Sequence, residues 1–229
     1  MYEQTDKSLK RLKKKISREF SKLYEMPFDE LSVRNTTKIT IELYERLTEA
    51  NKEEYEDIVE DAIEYALLFL DDKDRKRYFD NKIEPKKFVD KVLKDYNPVT
   101  NYLYNKEVDR KRLRLAEGML TAKEVRERNS FREIVRRSMN LWYTQSKQYA
   151  EDMADNTVLA VWERAGITMI AWITEEDAKV CDICDYLGHN KDRSIKLYPI
   201  NKVPPKPHYN CRCIKLPVKD DKILTPRGE

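Results

Sequence analysis

Four glycines and two histidines in 229 residues are the first limits this chain sets on itself. Tight turns usually demand glycine, so the shortage argues against a strand-and-turn architecture and excludes a glycine-rich phosphate loop. Long apolar runs are also missing. The longest, Ala66-Leu67-Leu68-Phe69-Leu70, falls far short of the about 20 residues a membrane span needs. The opening residues from Met1 to Asp6 lack the apolar core of a leader peptide. The expectation is a protein with no membrane partner that stays in the cytoplasm where it is made. Cysteine is absent until position 181, and all four cysteines then fall between 181 and 213. In a reducing compartment such a group suits metal ligands or free thiols better than disulfides.

Charge is what the chain has in abundance: 38% of residues are charged against 40% hydrophobic. With so little glycine and so much Lys, Glu, Arg and Leu, long helices are expected. The apolar content lies slightly below the globular norm of roughly 45–50%, so some helices are expected to find apolar partners on other subunits or to remain largely solvated. The formal net charge of +3 conceals a strong pattern. Lys7, Lys10, Arg11, Lys13, Lys14, Lys15, Arg18 and Lys22 have only Glu19 among them as an acid. Glu42 to Asp72 is densely acidic, and a second basic zone runs from Lys106 to Arg137. Such asymmetry fits nucleic-acid contact through Lys10, Arg11, Lys13, Lys14, Lys15 and Arg18, electrostatic pairing between subunits, or the solvated faces of charged helices.

Leu9, Leu12, Ile16, Phe20 and Leu23 recur at three- and four-residue steps and predict an amphipathic helix over 6–25, ended by Pro27. This apolar stripe, rather than the lysines, is expected to hold the helix to a partner. A second helix is expected from near Phe28, carrying Ile39, Ile41, Leu43 and Leu47. A third, from about Glu53 to Leu70, carries Ile58, Ala62, Tyr65 and Phe69. Pro85 suits a first helical turn before Phe88, Val89, Val92 and Leu93, and Asn97-Pro98 breaks the chain again. Helices then run around Thr100 to Leu115 and Thr121 to Gly166, the latter either continuous or interrupted, with Gly118 as a stop and Thr121 to Glu124 spaced as a capping box. From Ile167 to Thr174 the residues turn β-branched and aromatic, predicting a strand. Pro199, Pro204, Pro205, Pro207 and Pro217 exclude a long helix beyond it. The fold class expected is mainly α: an elongated helical body over 1–165, a small Cys-rich α+β module over 166–218, and a tail over 219–229.

The chemistry concentrates in that module. Cys181 and Cys184 form a C-x2-C pair, and His208, Cys211 and Cys213 form an H-x2-C-x-C cluster, offering five ligands where tetrahedral zinc needs four. If the second segment is extended, Cys211 and Cys213 project to the same side, leaving His208 as a supporting residue. A thiol cluster within a core and a disulfide pairing are the other readings. A unit of about fifty residues seldom buries enough apolar surface to stand alone, which favours a structural zinc ion. Trp172 is expected as the core anchor of the module. Asp177 could cap the turn that presents the first cysteine pair, and Arg212 could be a surface residue or its partner. His189, in a Gly-His-Asn turn, is expected exposed.

The string W-I-T-x2-D-x3-C-x2-C-x2-L-G, followed by P-P-x2-H-x2-C-R-C and Leu216-Pro217-Val218, resembles the C-terminal signature of the phage Mu F-like minor head proteins, the head morphogenesis family. Trp172, Asp177, Gly188 and Asn210 fit it in order and spacing, over roughly residues 165 to 218. The resemblance implies a minor virion component located in the head near the portal, present in the host cytoplasm during assembly. It further implies the portal protein and a major capsid or scaffolding protein as partners, with packaged DNA a possible one, and a part in head assembly or in DNA packaging or ejection.

Enzymatic readings lack residues. Zinc deaminases need H-x-E before P-C-x2-C, and neither His189 nor His208 supplies it. A metal-dependent nuclease would need a second, suitably placed histidine, and a hydrolytic or toxin-like enzyme lacks a credible nucleophile–base pair. A non-enzymatic role is expected, with a nucleic-acid-binding protein carrying a zinc knuckle as the alternative.

Overall fold

A computed structural model of the chain describes residues 3–95, 102–175, 177, 180–207 and 211–227, without the side chains of 3–6, 92–95 and 102–107. The expectations for the side chains of Val92 and Leu93, for Asn97-Pro98, and for His208 and Asn210 lie outside the described residues.

The described residues are mainly helical, with α1 Glu3–Tyr24, α2 Val33–Leu67, α3 Asp72–Phe79, α4 Pro85–Asp95, α5 Tyr102–Glu124, α6 Arg128–Ala165 and the short α7 Asp182–Gly188. Four strands, β1 Met169–Ile173, β2 Leu197–Pro199, β3 Ile214–Lys219 and β4 Lys222–Ile223, form one antiparallel sheet in the order β2-β1-β3-β4. No helix among the described residues is long and apolar enough to cross a membrane. The chain divides into two compact units. One comprises Lys7–Asp57 and Pro85–Ala150, the other Met1–Asp6, Ile58–Glu84 and Glu151–Glu229, so α2 and α6 each contribute to both. The sheet-bearing unit is therefore larger than the segment that follows Gly166.

In the first unit the stripe Leu9, Leu12, Ile16, Phe20 and Leu23 is at most 4% exposed. It lies inside the chain's own core, which corrects the expectation that it docks on a partner. The flank of α1 toward α2 is electrostatic: Arg11 Nε is 3.1 Å from Glu54 and its NH2 2.6 Å from Asp57, while Lys15 Nζ is 2.8 Å from Glu53 and 2.9 Å from Glu54. The basic and acidic runs thus pair with each other, at these positions, within one chain.

Two helices expected over 28–47 and 53–70 are one. After a 3-10 turn at Phe28–Glu30, Ser32 Oγ accepts from the Asn35 amide at 3.2 Å, and α2 runs unbroken from Val33 to Leu67. The polar stretch around Asn51 falls between the two expected helices. Asn51 is instead buried, its Nδ2 donating to Ser146 Oγ at 2.8 Å, and Tyr55 donates to the Ser146 carbonyl at 3.1 Å. Tyr44 meets Trp142 edge-on at 5.1 Å.

Gly118 is not a helix stop, and Thr121 does not open a helix: α5 continues through both to Glu124. The break follows at Arg126, whose φ is 55°. Gly118 serves packing instead, since a Cβ there would stand 2.8 Å from Ile134 Cγ2 of α6.

In the second unit, the C-terminal part of α6 is buried through Val158, Val161, Trp162 and Ala165. Trp162 Nε1 donates to the Ala66 carbonyl at 3.0 Å, and its ring meets Phe69 at 5.4 Å. Asp71 caps α3 by accepting from the Asp74 amide at 2.8 Å and also receives Lys219 from β3 at 2.9 Å. These two hydrogen bonds, the amide's first, hold the Asp71 carboxyl below its ordinary range.

α6 ends in a Schellman turn. The Gly166 amide donates to the Glu163 carbonyl and the Ile167 amide to the Trp162 carbonyl, both at 2.9 Å, with Gly166 at φ 94°. That conformation, which glycine adopts without a Cβ penalty, turns the chain into β1. Gly166→Ala is expected to destabilise the protein by about 1–2 kcal/mol in chemical denaturation. Asp71→Ala is expected to cost about 1 kcal/mol near neutral pH as a lost cap. Because the folded Asp71 carboxyl titrates below its unfolded value, its contribution is present above the ordinary carboxylate range and fades as pH falls through the folded value. Wild type and Asp71→Ala should therefore converge in stability at acid pH.

Candidate metal centre

The site begins at β1, where Trp172 pairs in register with Lys215 of β3. The Trp172 amide donates to the Lys196 carbonyl at 3.2 Å, and the Lys196 amide donates to the Gly188 carbonyl at 2.8 Å. This chain of backbone bonds draws the end of α7 to the strand. Gly188 is required by the closeness of that approach: a Cβ on it would lie 2.5 Å from Thr174 Cγ2. Tyr198 of β2 adds a bond from its hydroxyl to the Leu187 carbonyl at 2.9 Å.

α7 starts at the first cysteine. Cys181, in extended conformation, is its N-cap, and its sulfur accepts from the Cys184 amide at 3.4 Å. Cys184 follows one turn later, buried beside Trp172 and Cys213, with Val180, Leu187, Tyr198, Val203, Cys181 and Cys211 packed around them. The sulfurs of Cys184, Cys211 and Cys213 lie within 4.8 Å of one another and could hold a metal ion. Cys181 adjoins the group through Cys184, whose amide it caps and whose sulfur it meets. None of the four cysteines is in a disulfide. His208 lies outside the described residues.

Fit to a tetrahedral ion can be tested on the sulfur spacing. A zinc–sulfur bond of about 2.3 Å places tetrahedral ligands about 3.8 Å apart. Cys184 Sγ and Cys211 Sγ are 3.6 Å apart, close to that edge and far beyond the about 2.05 Å of a disulfide. The electrostatics point the same way. Burial pushes the Cys184 thiol up to about 12, and the hydrogen bond with Cys211, together with burial, raises Cys213 well above its ordinary value. Crowded, buried thiols hold their protons unless a cation supplies the opposing charge. Two buried polar atoms beside the group, Trp172 Nε1 and Thr174 Oγ1, meet no partner of hydrogen-bond geometry among the described residues. The Trp172 N–H is near enough to the Cys213 sulfur to favour its thiolate. A thiolate is a better acceptor than a thiol, so a metal-loaded cluster would satisfy this donor.

The remaining motif residues surround the cluster. Asp177 and Arg212 form a two-pronged ion pair, NH1 to Oδ2 at 2.7 Å and NH2 to Oδ1 at 2.6 Å, which tethers the segment before α7 to the one that carries Cys211 and Cys213. The Asp177 carbonyl accepts from the Val180 amide at 3.1 Å, just before Cys181. Cys181, rather than the Asp177 side chain, caps the helix that follows.

His189 corrects an expectation. Its side chain is only 9% exposed, and Nδ1 lies 3.0 Å from Asp185 Oδ1, the carboxylate that also receives Arg193 at 2.9 Å. A turn-like dipeptide context had hidden an i, i+4 partner on α7. Sequence reasoning also passed over Lys215. Almost fully buried, its ammonium is 3.2 Å from Asp155 of α6 and 5.4 Å from the Trp172 ring centre, with Lys206 3.4 Å from the same aspartate. Only the cross-strand register with Trp172 could have revealed it. Of the basic residues singled out on α1, Arg11 and Lys15 are in ion pairs, Lys13 lies 5.5 Å from the Tyr143 ring centre, and Lys10, Lys14 and Arg18 are exposed.

Gly188→Ala is expected to cost about 1–3 kcal/mol as an overpacking change, since the methyl of buried Thr174 fills the space a Cβ would need. Chemical denaturation measures the loss. Arg212→Ala, which breaks an exposed pair, should cost no more than about 1 kcal/mol in the same assay.

No protein-family model, curated protein or solved structure matches this chain.

Proposed function

We propose that the chain is a minor structural protein of a tailed-phage head, docking on the portal, with its C-terminal cysteine cluster holding one structural zinc ion. The observation that carries the reading is the convergence of the motif residues. Trp172, Cys184, Gly188, Cys211 and Cys213 are dispersed over some forty positions yet meet around one cluster, with Asp177 and Arg212 paired beside it. A signature whose members share one set of contacts supports a common structural purpose.

Cys184, Cys211 and Cys213 would supply three thiolates, and the fourth ligand would be Cys181 or His208. Zinc supplies Lewis-acid charge that keeps thiolates ionised and cross-links the segments that bear them. Binding of this kind can contribute on the order of 10–16 kcal/mol to the fold of a small module. Burial of Cys184 and Cys213 suits a closed, structural site better than one with an open position.

Elemental analysis of protein purified without chelator is expected to give about one zinc per chain, as for one tetrahedral site. Less than a tenth of an equivalent would remove the metal from the proposal. Cys184→Ser should lose the zinc and loosen the sheet-bearing unit, while circular dichroism retains the helices of the other unit. The assembly role is tested separately, by co-expression with the portal protein and by mass spectrometry of purified heads. Co-purification at low salt and presence in heads are expected. Absence of the chain from heads overturns the assignment whatever the zinc result.

A further inference from the structure

With its apolar stripe buried in the chain's own core, α1 has only its opposite face to offer. That face is cationic. Lys7, Lys10, Lys14 and Arg18 are all exposed, at steps of three, four and four residues that keep them on one side of a helix. The neighbouring cations Arg11 and Lys15 point to the flank where Glu53, Glu54 and Asp57 of α2 neutralise them. Lys7, Lys10, Lys14 and Arg18 have no ion-pair partner among the described residues. At the C-terminal end of α1, Arg132 and Arg136 of α6 act electrostatically on the Tyr24 hydroxyl, and both are exposed. They add positive charge near the C-terminal end of α1.

We propose that the row Lys7, Lys10, Lys14 and Arg18 binds the phosphate backbone of duplex nucleic acid. At 1.5 Å rise per residue, Lys7 to Arg18 span about 16 Å, a length over which a duplex presents roughly ten phosphates. Lys7, Lys10, Lys14 and Arg18 offer ammonium and guanidinium groups, with no aromatic or amide side chain between them on that face of α1 among the described residues. The row therefore has no platform for stacking unpaired bases, and no amide side chain for reading base edges. Backbone contact without sequence preference is the mode that remains, and duplex is favoured over single strand. The inference is independent of the cysteine cluster.

The test is fluorescence anisotropy of a labelled random-sequence duplex against the full chain over a range of salt. With four to six phosphates neutralised, log affinity should fall against log salt with a slope of about −4 to −5. Lys10→Glu, Lys14→Glu and Arg18→Glu together should weaken binding at least tenfold at low salt and flatten the slope by about 3 units. A control with the same change of charge, Lys73→Glu, Lys76→Glu and Lys82→Glu, should keep most of the affinity, and both variants should retain wild-type circular dichroism because the residues are exposed. Four results would each overturn the proposal: no binding by wild type at low salt, equal losses in variant and control, tighter binding of single strand than duplex, or competition by polyglutamate as strong as by duplex of equal charge. The last would mark the row as a dock for an acidic protein.

Discussion

The sheet-bearing unit depends on covering one side chain, Trp172. An indole carries more apolar surface than a five-residue strand can hide by itself, so other segments must close over it. In this chain they are α7, β2 and the approach to β3. Each brings a specific contact: Cys184 from α7, Tyr198 from β2 with its ring 6.4 Å from the indole, and Cys213 immediately before β3. Burying the tryptophan is thus the same event as collecting the sulfurs. The cost is the indole N–H, which burial removes from water without giving it a well-formed partner. A polarised sulfur is the acceptor best placed to offset that loss.

Beside the indole, the pair between Lys215 and Asp155 fixes the strand to α6. Both residues are nearly buried, so neither charge has water to fall back on. Such a pair adds little net stability compared with apolar residues of the same volume, yet breaking it strands a charge at a cost of several kcal/mol. What it supplies is registry. Asp155 can meet the ammonium only if Lys215 lies opposite Trp172, and that register sets Cys213 two residues upstream beside the indole. Lys219 repeats the device four residues along β3 with Asp71 and Asp74. Two lysines of one strand thereby tie the sheet to two helices of the same unit.

These dependencies explain what the sequence disclosed. Local signals were legible wherever they were sufficient. Pro27 and Pro85 bound their helices, the β-branched run after Gly166 is a strand, and the crowding of all cysteines into 181–213 gave the site itself. Features set by distant partners were not. Asn51 falls in the gap between two expected helices until Ser146 accepts a hydrogen bond from its amide, and Gly118 reads as a stop until Ile134 occupies the space a side chain would need. His189 reads as an exposed turn until the Asp185 carboxylate is seen one helical turn behind it. The extent of the sheet-bearing unit was hidden for the same reason. Its supports, Trp162 against Phe69 and Lys219 against Asp71, join segments about a hundred or more positions apart.

The charges of α1 follow from a similar constraint. An amphipathic helix has one apolar face, and here five residues of it, each worth roughly 1.5–3 kcal/mol when fully buried, are committed to the core. No exposure of that face is compatible with the fold, so any partner of α1 meets its polar side. There the cations sort by geometry. Those on the flank facing α2 are neutralised by acids whose desolvation demands it, as with Glu54, nearly buried between Arg11 and Lys15. Those pointing away face solvent with no acid opposite them among the described residues. A chain of 45 basic and 42 acidic residues, almost neutral as a whole, thereby presents a local row of positive charge. Net charge says nothing of such a surface; the distribution left after internal pairing determines what it attracts.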